Sequence, residues 1–280
     1  MNTYATLADF KGSLVAGVDV TSHDPRLLDL LEGVSRVVDQ YLGRHMYSQT
    51  ATRYFSGNGK NWMKLPWDLI AITTLKEDTT ANANYDNTWA TTDYILAPYD
   101  SAPTGRAYLD STRPYWWIET DQRSTGSESG FSSGQRRFEL VGKFGFSEST
   151  VDSTATVNET YTSSDVTLTV SDGGQFKIGQ TILIESEQLY ITAISTNDLT
   201  VVRGVNGTTA ASHASSTAIS IIEYPDPVRE AVLLETGLLM ETRGYRRQIG
   251  NFEQGIITPF GRTFSDETKT KLNPFKLVRT

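Results

Sequence analysis

The strongest candidate for a catalytic group in this chain is a serine in a glycine-rich segment. Gly130-Phe131-Ser132-Ser133-Gly134 matches the Gly-x-Ser-x-Gly pattern, in which a sharp turn exposes a nucleophilic serine. That turn needs a buried strand before the serine and a helix after it, whereas both flanks here are polar. The sequence also nominates no His and Asp partners for Ser132. We therefore expect this serine to lie in a loop without a catalytic role.

Two further segments resemble ion-binding loops but lack residues that such loops need. Gly57-Asn58-Gly59-Lys60 has the glycines and lysine of a phosphate loop, yet no Ser or Thr follows the lysine. From Asp78 to Asp86 alternate residues could supply oxygen ligands to calcium, but Ala83 and Trp89 stand where the loop needs Gly and Glu. The first segment is typical of a tight β-hairpin, and the second of a turn stabilised by Asn and Asp.

Metal and cofactor chemistry has no support in the sequence. The chain contains no cysteine, and its three histidines, His23, His45 and His213, are too far apart to form a local metal motif. We therefore expect no metal, no cofactor and no enzymatic activity.

A pair of tryptophans is a candidate binding platform. Trp116 and Trp117 follow Tyr115 in a predicted strand. Successive side chains of a strand point to opposite faces, so one ring is expected to face the core. The pattern favours a role in the core and at a subunit interface, and a platform for a sugar or a base is the alternative.

The segment 259–280 is the strongest candidate for binding another molecule. From Arg243 onward the chain has eight Lys or Arg and three acidic residues, whereas the whole chain has a net charge of −8. The segment 259–280 contains a single short helical pattern, between Ser265 and Pro274, that could bury its phenylalanines. We expect an exposed arm, because an apolar anchor beside a charge is typical of binding hot spots. The residues assigned to it are Phe260, Arg262, Phe264, Phe275, Lys276 and Arg279.

Three arginines precede this arm at the end of a predicted helix. Arg243, Arg246 and Arg247 would stabilise the negative end of the helix dipole. They could also face a channel or an interface with another subunit. The first interpretation is favoured, and the second stays open.

Two long helices are predicted from similar signals. Asp24-Pro25 and Asp226-Pro227 are typical helix starts, and Gly43 and Gly244 are typical helix ends. Between each start and end, apolar residues recur at three- and four-residue steps. We expect these two helices to pack against each other.

The chain between the two long helices is predicted to be β-structure. The polar, Thr-rich residues 147–160 are typical of a linker, and 161–222 are predicted to form an inserted small barrel or sandwich. The connector body would then comprise 1–146 and 223–258, followed by the arm 259–280. The strands expected in the insert are Val166–Val170, Thr181–Ile184, Gln188–Ile194, Asp198–Val202 and Thr217–Ile222.

Composition limits the class of protein. A chain of 280 residues that is 38% hydrophobic predicts one or two globular domains. No stretch approaches the ~20 apolar residues of a membrane span, and the start lacks the pattern of a secretory signal. We therefore expect no membrane contact and a product that stays in the cell that makes it. The net charge of −8 opposes wrapping of nucleic acid but is compatible with an acidic lumen past which DNA slides.

Several segments, taken in order, resemble the head-tail connector (adaptor) proteins of long-tailed double-stranded DNA bacteriophages. The resemblance covers roughly residues 5–146 and 224–280, and the insert resembles a small β-module of assorted phage structural proteins. The segments that carry it are Tyr41-Leu42-Gly43-Arg44, Arg53-Tyr54-Phe55, Leu65-Pro66 with Ile70 to Lys76, Asp93-Tyr94-Ile95-Leu96, Leu140 to Phe146, Ser265 to Lys269, and Leu272-Asn273-Pro274-Phe275.

The resemblance implies both a fold class and a function. The fold would be α+β, with a helical ring-forming body of two long helices and a short C-terminal helix, a β region, and an inserted small all-β domain. The protein would form a ring of twelve subunits under the portal, in the neck of the virion, after synthesis in the host cytoplasm. The arm would embrace the portal, a tail-side stopper or tail terminator protein would dock below, and DNA would pass without specific binding. The alternative is a virion-associated glycan-binding protein, which would bind sugar as a free monomer.

Overall fold

Two antiparallel sheets and four α-helices form the part of the chain that the structure describes. This computed structural model describes residues 2–13, 24–104, 113–123, 128–248 and 264–277, with the backbone alone over 241–248. The helices are α1 (Leu7–Gly12), α2 (Asp24–Leu42), α3 (Asp226–Gln248) and α4 (Asp266–Leu272). The strands are β1 (Gln49–Gly57), β2 (Trp62–Glu77), β3 (Asn87–Trp89), β4 (Tyr94–Ala97), β5 (Tyr115–Thr120), β6 (Gly134–Phe144), β7 (Ser149–Thr156), β8 (Thr167–Thr169), β9 (Thr181–Ile184), β10 (Glu187–Ser195), β11 (Asp198–Val202) and β12 (Ala218–Glu223).

The first sheet has the strand order β1-β6-β2-β5-β4, and β3 pairs with β2. Its longest strand, β2, pairs with β5 over its first residues and with β6 and β3 further along. The register with β6 shifts between Leu69 and Ala71 and again between Ile72 and Thr74. Such irregularities bend a strand, which lets β2 serve two sets of neighbours. Its buried core includes Leu75, Trp89, Ile118, Phe131, Phe138 and Leu140.

The predicted β-hairpin at Gly57-Asn58-Gly59 is wrong. Strands β1 and β2 both pair with β6, which lies between them, so the strands that this turn joins are not neighbours. The turn instead bonds the residues before β6: the Gly59 N–H donates to the Phe131 carbonyl, and the Phe131 N–H donates to the Lys60 carbonyl, both at 2.8 Å. Gly57 is needed there, because a Cβ would lie 1.7 Å from the carbonyl oxygen of Ser132.

The second sheet has the order β7-β12-β9-β10-β11-β8 and closes into a small barrel. A bridge between Val157 and Val170 joins the residues after β7 to those after β8, which are the two ends of this order. Beside it, the Asn158 N–H donates to the Thr169 carbonyl at 3.0 Å. The barrel has its own buried core, which includes Leu168, Val170, Ile182, Ile184, Leu189, Ile191, Leu199 and Ile219.

The predicted linker at 147–160 is wrong over most of its length, because Ser149–Thr156 form β7. This strand pairs with β12 from Ser149 opposite Glu223 to Thr156 opposite Ala218. Its buried positions are Ser149, Ser153 and Ala155. No large apolar residue marks the face that points inward, so the sequence shows no hydrophobic alternation here. The division of the chain into a body and an insert stays a prediction.

A buried ion cluster holds the connection between β11 and β12. The Glu187 carboxylate accepts hydrogen bonds from Arg203 Nε and Nη2, both at 2.7 Å, and from the Ala211 N–H at 2.9 Å. Nε2 of His213, itself buried, lies 2.8 Å from the same carboxylate. Burial alone would raise the pKa of Glu187, but the hydrogen bonds from Arg203, Ala211 and His213 outweigh it and lower the pKa to about 2.

The two long helices pack against each other, as their periodicity predicts. Helix α2 ends at Leu42, and Gly43 follows with a φ of +69°, which glycine adopts without strain. Leu31 and Val38 of α2 share one buried core with Val228 and Val232 of α3.

The predicted fold class, an α+β protein with a helical ring-forming body, is wrong. Two antiparallel sheets of six strands each dominate the described residues, and α1 and α4 have only six and seven residues. The apolar periodicity of α2 and α3 is a local signal that marks the helices more clearly than the strands. A prediction from sequence therefore gives the helices too large a share of the fold. None of the helices in the described ranges is long and apolar enough to cross a membrane.

The first described residues tie the barrel to the helices. Asn2 and Thr3 are at most 2% exposed. The Asn2 side chain donates to Asn206 at 2.6 Å and accepts from the Thr181 hydroxyl at 2.7 Å. The Thr3 hydroxyl donates to the Gly179 carbonyl at 2.7 Å.

Tyr4 makes the matching contacts with α2 and the loop after it. Its buried hydroxyl donates to Asp39 at 2.5 Å and accepts from the Met46 N–H at 3.1 Å. Its backbone N–H donates to the Ser35 hydroxyl at 3.1 Å. Burial and the neighbouring Asp39 raise the pKa of Tyr4 well above its ordinary value, so the phenol stays neutral and can donate.

Removing the Tyr4 hydroxyl is expected to lower the stability of the protein. Tyr4→Phe leaves the Asp39 carboxylate and the Met46 N–H without this partner in a buried site, so the free energy of unfolding should fall by about 2 kcal/mol. Urea denaturation followed by circular dichroism measures the loss. Tyr85→Phe is the matched control, because the Tyr85 hydroxyl makes an exposed hydrogen bond to the Arg136 carbonyl. An equal loss in both variants would contradict a special role for Tyr4.

Protonation of Glu187 at low pH is expected to lower the free energy of unfolding. A carboxyl whose pKa falls from its ordinary 4.5 to about 2 on folding stabilises the protein fully above pH 4.5 and loses that contribution as the pH falls towards 2. Between pH 6 and pH 3 this group should account for about 2 kcal/mol of lost stability. Urea denaturation at several pH values should therefore show a shallower acid dependence in Glu187→Gln than in the native protein. Glu223→Gln, at an exposed residue, should keep the native dependence.

Candidate interaction site

A charged cleft lies where the end of α2 meets β1, β2 and β6. It encloses about 510 Å³. We call it the arginine cleft, because three of its lining residues are arginines. Its residues are Arg36, Asp39, Gln40, Gly43, Arg44, His45, Arg53, Pro66, Trp67, Asp68, Phe144, Gly145 and Leu277.

Four separate elements position these side chains. Arg36 and Asp39 lie on the last turns of α2, Arg53 on β1, and Asp68 in the middle of β2. Gly145 follows β6, and a Cβ there would lie 2.0 Å from the Tyr47 carbonyl oxygen. Only glycine therefore allows the end of β6 to approach the loop after α2 this closely.

Each aspartate of the cleft is engaged by an arginine. Nε of Arg36 lies 3.2 Å from Asp39 Oδ2, and Nε of Arg44 lies 3.2 Å from Asp68 Oδ2. Nδ1 of His45 is 3.4 Å from the same oxygen of Asp39. Burial raises the pKa of Asp68 and lowers the pKa of Arg44, because both charged groups have lost water.

Arg53 differs from the other two arginines of the cleft. Its guanidinium lies 4.3 Å from the centre of the Phe144 ring and 5.0 Å from the centre of the Trp67 ring. Among the described residues no carboxylate forms an ion pair with it. Burial lowers the pKa of Arg53, and the nearby Tyr47 and Asp68 offset this effect only in part.

The C-terminal segment packs on its own chain, so the expectation that Phe264, Phe275 and Lys276 belong to an exposed arm is wrong in part. Phe264 is buried, with its ring edge-on to Tyr41 at 5.3 Å. Phe275 lies edge-on to Phe146 at 5.6 Å. Lys276 is exposed but sits over the Tyr41 ring, with its Nζ at 4.5 Å from the ring centre.

Backbone contacts complete this packing. The Ser265 N–H donates to Glu235 of α3 at 3.0 Å, and the Leu277 N–H donates to the Leu42 carbonyl at the end of α2 at 2.8 Å. Leu272 and Thr268 of α4 are fully buried. The sequence offered no nearby apolar partner for these residues, because the partners belong to helices that are distant in the chain.

The remaining predicted contact residues are not tested. Phe260, Arg262 and Arg279 lie outside the described residues. Arg243, Arg246 and Arg247 lie within α3, over the stretch described by its backbone alone.

Neither of the two tryptophans belongs to the buried core of the first sheet, where the strand pattern predicts one of the rings. Trp117 stacks on Trp62 with ring centres 4.3 Å apart, and Lys60 Nζ lies 4.7 Å from the Trp62 ring centre. Trp116 is 37% exposed. Both the interface and the ligand platform remain open interpretations of this surface.

The loops that resembled chemical motifs have structural partners. Ser132 precedes a strand, β6, and its hydroxyl donates to Glu77. The Asp78 carboxylate accepts from the backbone N–H groups of Thr80, Asn82 and Ala83, which makes the segment a turn. No group of three or more potential metal ligands occurs within the described ranges.

Comparisons with known proteins give a structural likeness but no match to a family model. No protein-family model matches the chain, and no curated protein sequence does. A solved structure described as the neck of an empty GTA particle computed with C6 symmetry is similar, with a TM-score of 0.39 and 13% identity. The alignment covers 98% of this chain and 89% of that one. At this TM-score the likeness carries no argument about function.

Sequence reasoning missed the arginine cleft, although it had singled out several of its segments. Arg44 and Arg53 belong to segments that carry the family resemblance, whereas no sequence pattern marks Arg36 or Trp67. Arg36, Arg53 and Trp67 lie on three separate elements and Arg44 lies in the loop after α2, and their proximity depends on the pairing of β1 and β2 with β6.

Removing a buried side chain of α4 is expected to destabilise the protein. Leu272→Ala should lower the free energy of unfolding by about 2 to 5 kcal/mol, because Leu272 is fully buried in the core shared by α2 and α3. Thermal or urea denaturation measures the change. Glu267→Gln on the exposed side of the same helix is the control, with an expected change within about 0.5 kcal/mol. A free arm would show no loss in either variant.

Proposed function

We propose that this chain is a structural head-tail adaptor from the neck of a phage-like particle. It forms a homo-oligomeric ring beneath the portal, with twelve subunits in the virion, and it catalyses no reaction. The ring extends the DNA channel and offers a docking platform to a tail-side stopper or tail terminator protein.

One observation carries this proposal: four of the segments that resemble connector proteins meet at the arginine cleft. They come from α2, β1, β2 and β6, which are far apart in the chain, so sequence proximity does not explain their meeting. The residues that they contribute are Gly43, Arg44, Arg53, Pro66, Phe144 and Gly145. Chance similarities scattered along the chain would not be expected to share one site. The convergence supports a common framework with that family, and the likeness to a particle neck is not needed for the argument.

The C-terminal segment suggests how the portal is bound. Phe264 and Leu277 attach residues 264–277 to α2, so we assign portal binding to the residues before Phe264 and after Leu277. Phe260, Arg262 and Arg279 fall in these two stretches. An apolar anchor with flanking arginines suits a binding hot spot.

The charge of the chain suits a channel component. A net charge of −8 disfavours tight binding of a polyanion, so DNA is expected to pass without being held. The exposed Trp116 keeps a glycan-binding protein as the second candidate, because an exposed aromatic ring can stack on a sugar.

The proposal is tested by mixing the purified protein with the portal ring of the same particle. Co-sedimentation followed by electron microscopy should show this chain as an ordered ring on the portal. Phe260→Ala, Arg262→Ala and Arg279→Ala together should weaken binding at least about tenfold, because truncating hot-spot residues costs more than 1 kcal/mol each. Lys269→Ala with Lys271→Ala, two cations on α4, is the matched control and should bind normally.

Two results would contradict the adaptor. Absence of any complex with the portal would remove the proposed partner. Binding of a glycan by the free monomer, abolished by Trp116→Ala, would favour the second candidate instead.

A further inference from the structure

We propose that the arginine cleft binds a polypeptide segment that presents a carboxylate beside an apolar side chain. This inference goes beyond the adaptor function and does not need it, because the binding can be measured on the isolated chain. It rests on the charge and the walls of the cleft.

The cleft carries an excess of positive charge on an acidic protein. Its lining has three arginines and two aspartates, which leaves one positive charge with His45 neutral. Asp39 and Asp68 are engaged by Arg36 and Arg44, so the remaining charge belongs to Arg53. A half-buried cation favours an incoming anion, because the anion restores the stabilisation that the lost water had provided.

Several buried polar atoms of the cleft residues lack hydrogen bonds. They are Nε and Nη2 of Arg36, Nε of Arg44, Oδ2 of Asp39 and Oδ2 of Asp68. The two arginine–aspartate pairs are therefore charge contacts without good hydrogen-bond geometry. These atoms are enclosed by protein, so the cation of the cleft that an incoming group can reach is the half-buried Arg53.

The walls of the cleft orient such a ligand. The rings of Trp67 and Phe144 hold the Arg53 guanidinium in place. A positioned guanidinium presents a rigid fork of donors that matches the two oxygens of a carboxylate. Pro66 and Leu277 add apolar surface beside it. A volume of about 510 Å³ is within the range of ordinary ligand pockets and can admit neighbouring side chains.

A carboxylate fits this site better than a phosphate. Asp39 and Asp68 are fixed negative charges at the cleft, and they repel a dianion more than a monoanion. Two aromatic rings, a proline and a leucine offer no further cations that would follow a nucleic-acid backbone. The lining therefore favours a protein partner over nucleic acid.

The experiment uses a fluorescein-labelled peptide with the sequence Ser-Leu-Glu-Phe-Ser, blocked at both ends, and a second peptide with Gln in place of Glu. Fluorescence anisotropy with the full chain should show binding of the Glu peptide about tenfold tighter than that of the Gln peptide, the usual effect of one charge-assisted hydrogen-bonded pair. Arg53→Gln should remove this preference, and Arg53→Lys should retain part of it, because lysine keeps the charge but not the fork.

Arg136→Gln is the matched control. Arg136 also stacks on an aromatic ring, that of Tyr54 at 4.1 Å, but it lies outside the cleft, so binding should be unchanged. Near-ultraviolet circular dichroism of Arg53→Gln and Arg53→Lys should match the native spectrum, which separates loss of binding from loss of packing.

Four outcomes would overturn the proposal. The first is equal binding, or no binding, of the Glu and Gln peptides, and the second is unchanged preference in Arg53→Gln. The third is displacement of the peptide by inorganic phosphate at lower concentrations than by acetate, which would make the site one for phosphate. The fourth is binding only by a variant that ends at Leu277, which would make the residues after it the natural occupant. Portal binding can persist in every one of these cases, so failure here is distinct from failure of the adaptor proposal.

Discussion

Burial of the N-terminal segment between α2 and the barrel is the interaction on which the rest of the arrangement depends. Asn2 and Thr3 satisfy polar groups of the barrel, and Tyr4 satisfies polar groups of α2 and the loop after it. Polar groups buried in this way are costly to leave unpaired, so the contacts hold in one geometry and exclude others. The barrel and α2 are therefore connected by more than the covalent chain.

The same contacts shape the arginine cleft. Asp39 receives the Tyr4 hydroxyl on one side and faces Arg36 and His45 on the other. The Arg36 guanidinium lies over the rings of both Tyr4 and Tyr47. The side chains at the end of α2 are thus held from behind by the packed N-terminal segment. Arg53, which lies on strand β1, is therefore the cation of the cleft that a partner can engage.

The C-terminal segment, like the N-terminal one, is buried against the helices. Its apolar residues, Phe264 and Leu272, are buried against the helices, and Leu277 reaches the edge of the cleft. The sequence shows no core for the aromatic residues of this segment, yet part of the segment belongs to the core of the helices. Residues 264–277 are therefore packed on the helices and do not form a free arm.

Local sequence patterns predict the individual elements of this fold, whereas their mutual arrangement is visible only in the tertiary structure. Asp24-Pro25 and Gly43 fix the ends of α2, and Thr181–Ile184 and Asp198–Val202 were predicted with the bounds that β9 and β11 have. These signals are local, because capping, glycine conformation and side-chain alternation act over a few residues. The insertion of β6 between β1 and β2 depends on distant pairing, which no local pattern encodes. Strand β7 has only small buried residues, and the cleft joins Arg36, Arg53 and Asp68 from separate elements, so both became visible only in the folded chain.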